Sequence, residues 1–69
     1  ESGPPVDEGD VRKVEIEGVG DQGDGVGKIA GGYVVIVPGT EPGDTVTAEM
    51  ETVRENFAIA EIIQEHRED

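Results

Sequence analysis

Residues 23–44 read GDGVGKIAGGYVVIVPGTEPGD, and no other stretch restricts the fold as tightly. Two β-branched runs are punctuated by a glycine pair and closed by two Pro-Gly steps. That pattern specifies a sharply bent β-hairpin and excludes a helix. Gly31-Gly32 suits a two-residue turn with positive φ. Gly27 permits a bulge or bend inside a strand over residues 26–30. Tyr33–Val37 is apolar on both faces, which predicts a central strand. Pro38-Gly39 ends it, and Pro42-Gly43 makes a second turn.

The apolar set points the same way. Leucine and tryptophan are absent, and valine and isoleucine supply most of the hydrophobic residues. Their stiff χ1 favours pleated surfaces over helices. Eleven glycines and four prolines in 69 residues predict many short strands and tight turns. One small domain is expected, burying only about 60% of its unfolded surface. The lack of cysteine excludes disulfides and thiolate zinc sites. His66 is the single histidine and makes no metal cluster alone, so no metal or cofactor is expected. No apolar run approaches the ~20 residues that cross a bilayer. The start, ESGPPVDEGD, has neither the basic nor the apolar part of a signal peptide. It also lacks an initiating Met, as a fragment of a longer chain would. A cytoplasmic setting is expected.

Along the chain, residues 1–10 read as a disordered lead-in, 11–64 as the folded unit and 65–69 as a charged tail. In 11–18, Arg12, Val14 and Ile16 share one face of a strand. In 44–53, Val46, Ala48 and Met50 point inward. In 57–63, Ala58, Ala60 and Ile62 face in, and Phe57, Ile59 and Glu61 face out. Residues 48–68 also fit a helix, with Met50, Val53, Phe57 and Ala60 at helical spacing, so periodicity leaves both readings open. No internal repeat is evident.

Several motifs fail on their chemistry. Residues 18–23 match G-x-G-x-x-G, but no helix follows to hold a pyrophosphate. Gly27-Lys28 looks like a phosphate-loop ending, but Ile29 replaces the magnesium-binding hydroxyl residue. Residues 21–25 have calcium-loop flavour, but Gly23 stands where a ligand belongs. Ser2 is the only serine, no nucleophile has a base beside it, and no enzyme activity is expected.

What remains is Arg12, Lys13, Lys28, Tyr33, Arg54, Asn56 and Phe57, nearly all the bases and both aromatics. Unpaired nucleic acid needs such aromatic platforms and cations. Tyr33 reads equally as core, whereas Phe57 reads as surface. Seventeen acids against five bases give a net charge of −12. They are spread along the chain, as in a surface adapted to high salt, where charge is screened within roughly 3 Å at 1 M.

Residues 23–29, 32–39, 42–46 and 54–61 together resemble a TRAM domain, in register over about residues 9–64. The resemblance implies an all-β fold, a small OB-like barrel of about five antiparallel strands, and resolves 48–68 toward strands. It implies RNA binding without base specificity, in the manner of an RNA chaperone. Alternatives are an RNA-targeting appendage of a tRNA- or rRNA-modifying enzyme, or an acidic protein-interaction module. The implied contacts are Lys28, Tyr33, Arg54 and Phe57, with Arg12, Lys13 and Asn56 beside them. The implied partner is single-stranded or structured RNA (tRNA, rRNA or mRNA), bound by a monomer. The family is usually basic or neutral, and Glu49, Glu51, Glu55 and Glu61 depart from that pattern.

Overall fold

A computed structural model describes residues 3–66. Five strands, β1 (Val11–Val19), β2 (Gly25–Ile29), β3 (Tyr33–Val37), β4 (Thr45–Val53) and β5 (Phe57–His66), close a barrel in the order β1-β2-β3-β5-β4. Over the described part of 48–68 the strand reading holds, and the helical alternative does not. Four seams are antiparallel, and β3–β5 is parallel over Val34–Ile36 and Phe57–Ile59. A ring of five strands cannot alternate direction throughout, so closure forces one parallel seam.

The interior is filled by Val14, Ile16, Tyr33, Val35, Val37, Val46, Ala48, Met50, Ala58 and Ala60. Small residues sit where β4 faces β5: Met50 pairs with Ala60, and Val53 with Ala58. An alanine opposite a larger side chain keeps a narrow barrel full without strain. The expected inward sets on β1, β4 and β5 are buried, except that Arg12 is exposed and Ile62 is half-buried. Among the described residues, Thr40 is the one buried polar side chain; its Oγ1 donates to the Val37 carbonyl at 2.7 Å.

Several boundaries differ from the sequence reading. Val6, placed in the lead-in, is 2% exposed and belongs to the core. Residues 65 and 66, read as tail, extend β5, with Val46 opposite Glu65 and Thr45 opposite His66. The β2–β3 connection has three residues, Ala30–Gly32, because Ile29 already faces Tyr33. Both of its glycines take positive φ, as the turn requires.

The structure also reveals an internal repeat. Residues 6–16 (VDEGDVRKVEI) and 40–50 (TEPGDTVTAEM) build the same device. In each, a four-residue turn closes through a backbone N–H: Asp10 to the Asp7 carbonyl and Asp44 to the Glu41 carbonyl, both 3.0 Å. The Asp carboxylate accepts from the first residue of the turn, Asp7 or Glu41, again at 3.0 Å. The third residue is Gly9 or Gly43, with φ of 90° or 97°. This is type II turn geometry. Each Gly-Asp pair then straddles one residue of the other segment. Gly9 donates to the Met50 carbonyl and Met50 to that of Asp10, both at 2.8 Å. Gly43 donates to the Ile16 carbonyl at 2.9 Å and Ile16 to that of Asp44 at 2.8 Å. Two residues opposing one, with glycine first, is a glycine bulge. The β1–β4 ladder is thus gripped at both ends by quasi-symmetric clamps, with Val6 and Thr40 buried at equivalent places.

β1 bends across β2 where glycines let the backbones approach. A Cβ at Gly27 would lie 2.5 Å from the Glu15 carbonyl oxygen and 2.6 Å from Val14 Cγ1. A Cβ at Gly18 would meet nothing within 4 Å. Gly27→Ala is therefore expected to cost about 1–3 kcal/mol, and Gly18→Ala less than about 0.5 kcal/mol, in urea unfolding at fixed KCl. Equal effects of the two substitutions would refute the close crossing.

Candidate nucleic-acid interface

Alternating strand directions gather the starts of β1, β3 and β5 and the ends of β2 and β4 at one end of the barrel. All four bases among the described residues lie toward that end: Arg12 and Lys13 on β1, Lys28 on β2, and Arg54 just after β4. The opposite end carries Glu17, Asp21, Asp24, Glu41 and Asp44, with no base among the described residues. The bases are therefore gathered at one end, where they stand among the acids Asp10, Glu51 and Glu55.

A cross-strand row assembles the centre of the site. Lys28 pairs with Val34, and Val34 pairs with Phe57. Lys28 is exposed, and Val34 and Phe57 are half-buried on the outer surface. The next row on this face is Val26, Ile36 and Ile59, all half-buried. A sheet face turned to water normally carries polar side chains. Here a lysine and an aromatic ring flank an apolar strip. The strip is missed when residues are sought by type, yet its signal is in the sequence, where Tyr33–Val37 is apolar at every position.

Arg54 and Asn56 are exposed in the β4–β5 turn that precedes Phe57. The Arg54 N–H donates to the Phe57 carbonyl at 2.8 Å and closes the turn. Tyr33 occupies a place different from its proposed contact role. Its ring is 7% exposed, and its hydroxyl contacts the Arg54 carbonyl at 2.5 Å and the Phe57 carbonyl at 2.7 Å. Tyr33 is inward because its neighbours Val35 and Val37 are inward and strand parity is strict. It offers no ring to a base, but it holds the turn that presents Arg54, Asn56 and Phe57.

Arg12 and Lys13 stand apart from the Lys28–Phe57 row. Arg12 is exposed at the rim, with Nη2 donating to the Pro5 carbonyl at 3.4 Å. Lys13 lies on the outer face opposite Thr47. Among the described residues, no group of three metal-ligating side chains forms.

Along β5 the outward positions run Phe57, Ile59, Glu61, so the apolar strip ends on an acid. Glu61 pairs with Glu49, and Glu51 stands two residues further along β4. The Glu51 carboxyl is raised from the ordinary value of 4.5 by its hydrogen bond to Glu61, then by repulsion from Glu61, by burial and by repulsion from Glu49. The folded chain thus holds this proton more tightly than the unfolded chain. The resulting stability is present in full below the unfolded value and is lost as pH rises through the folded one.

Two outcomes are expected. As pH falls from 7 through the carboxylate range, wild type should gain stability relative to Glu61→Gln in urea unfolding; parallel profiles would contradict the shared proton. Tyr33→Phe should cost about 1–3 kcal/mol, because the hydroxyl that the Arg54 and Phe57 carbonyls share is lost. Amide exchange at Arg54 should accelerate with it, and unchanged exchange would remove Tyr33 as the turn's anchor.

The TRAM domain family matches residues 5–63. The chain is 45% identical over 60 residues to a ribosomal RNA large subunit methyltransferase E of Natronomonas pharaonis, covering 87% of this chain and 23% of that protein. It is 44% identical over 59 residues to an uncharacterized protein of Methanocaldococcus jannaschii, covering 86% of this chain and 75% of that one. The solution structure of a conserved protein of Methanococcus maripaludis matches with a TM-score of 0.79 and 40% identity, over 87% of this chain and 84% of that one. The chain belongs to the TRAM domain family.

Proposed function

From that membership, we propose that this chain binds unpaired RNA without base specificity and acts by holding it open, as an RNA chaperone does. The Lys28–Val34–Phe57 row carries the reading, because it sets a cation and an aromatic ring on one outer face of the barrel. Phe57 supplies the stacking surface, and Lys28 and Arg54 meet phosphates. Asn56 adds hydrogen bonds beside the stacked base, and Arg12 and Lys13 add cations at the same end. The domain works as a monomer in the cytoplasm, in concentrated salt that screens its acids.

One observation favours a second reading, an RNA-targeting appendage of a modifying enzyme: the chain spans only 23% of the Natronomonas methyltransferase. In both readings the same face meets RNA.

Salt separates the contributions to binding. Affinity for single strands falls by about 0.7 log units per phosphate contact for each tenfold rise in salt. Stacking, about 1–3 kcal/mol per base, does not depend on counterion release. At molar KCl, Phe57→Ala is therefore expected to weaken binding of an unstructured oligoribonucleotide by roughly 5- to 150-fold. Lys28→Ala should cost less than about threefold under the same conditions. Fluorescence anisotropy checks this, with thermal melting to confirm that each variant is folded. The reverse ranking would overturn stacking as the main contribution.

A further inference from the structure

We propose that RNA binds this face with a net uptake of monovalent cations, so that affinity holds or rises with salt where other RNA-binding surfaces lose it. The inference rests on the RNA-binding reading above. It follows from where the acids stand relative to the strip. The outward rail of β5 passes from Phe57 through Ile59 to Glu61. Glu61 lies opposite Glu49, and Glu51 follows on the same strand. Directly opposed residues on antiparallel strands hold their Cβ atoms about 4.5–5.5 Å apart. Glu49 is flanked directly by Val11 on β1 and by Glu61 on β5. The Glu51 carboxyl is raised first by its hydrogen bond to Glu61 and then by repulsion from Glu61 and Glu49, in keeping with this crowding of acids. Glu55, between Arg54 and Asn56, adds a fourth exposed carboxylate at the turn itself.

An RNA strand stacked on Phe57 and running along the strip brings phosphates toward this row. Two like-charged arrays then share one region, and the complex needs more counterions there than the separated partners hold. At the basic contacts the ordinary release of counterions still operates. The sign of the total depends on numbers, and the acids are in excess. Range separates the two effects. Phosphate contacts with Lys28 and Arg54 act at touching distance. Repulsion from the carboxylates acts across the sheet, over distances that remain within the screening length of about 10 Å at 0.1 M but exceed the ~3 Å at 1 M. Salt thus removes the repulsion and spares the stacking on Phe57, while only the few basic contacts weaken. Ionic strength becomes a positive regulator of the site.

The test uses a fluorescent twelve-residue oligouridylate, which has no structure for salt to change. Its affinity is measured over a tenfold KCl range in which circular dichroism shows the barrel folded. Three phosphate contacts with release alone would give a log–log slope of about −2. The expected wild-type slope is zero or positive. In the Glu49→Gln/Glu51→Gln/Glu61→Gln variant the slope should turn negative by at least about one unit, and affinity at the lowest salt should rise about tenfold or more. A wild-type slope steeper than about −1, or a slope that the triple variant leaves unchanged, overturns the proposal while leaving RNA binding intact. No binding by either protein at any salt overturns the RNA reading itself.

Discussion

Closure of the barrel rests on its one parallel seam, and that seam is short. β3 and β5 share only the pairs from Val34–Phe57 to Ile36–Ile59. Parallel pairing is slightly weaker per residue than antiparallel pairing. The Tyr33 hydroxyl, immediately before the seam, bridges to the carbonyls of Arg54 and Phe57 and fastens β3 to the turn that launches β5. One buried polar group therefore serves two ends: it supplements the weakest join of the ring, and it fixes the loop on which Arg54, Asn56 and Phe57 are displayed. Stability and site geometry are coupled through this atom.

The β1–β4 ladder supplies complementary rigidity. A closed barrel of 69 residues has little core with which to resist shear. The two Gly-Asp clamps lock the register of the ladder from both ends, each with a turn bond, a carboxylate bond and a bulge. They also give Asp10 and Asp44 a role that has nothing to do with solvation. An acid count alone treats all seventeen carboxylates as one population. The structure divides them into turn-formers such as Asp44, an opposed row such as Glu49 and Glu61, and a group that includes Asp21 and Asp24 at the end away from the described bases.

The strands were legible because β-branched alternation is a local signal, and Gly31 and Gly32 announce positive φ without any partner. Features that depend on distant partners were not legible. Val6 sits in a Pro- and acid-rich context that reads as disorder; only the clamp around Met50 seats it in the core. The repeat of 6–16 in 40–50 escapes notice because identical roles are filled by different residues: Val6 by Thr40, Glu8 by Pro42, Ile16 by Met50. The parallel seam follows from the parity of the ring, which no local pattern encodes. Of the site, Lys28, Arg54, Asn56 and Phe57 do gather at one end. Tyr33 was ambiguous because a tyrosine in a run apolar on both faces carries no mark of which face is inner.

Gathering the bases at one end makes the proposed RNA contacts physically coherent on an acidic chain. Net charge of −12 describes the far field, where RNA and protein repel. The proposed contacts act in the near field, where Lys28, Phe57 and Arg54 lie at one end of the barrel and Asp21, Asp24 and Glu41 at the other. Raising salt shortens the reach of the far field before it weakens contact. A surface with more bases would bind more tightly in dilute buffer and would lose that advantage fastest as salt rose. The apolar strip of Val26, Val34, Ile36 and Ile59 keeps its contribution across that range, because burial of apolar surface is not screened. The combination that looks contradictory in composition, many acids around a stacking face, therefore selects for contact chemistry that survives where electrostatic recruitment fails.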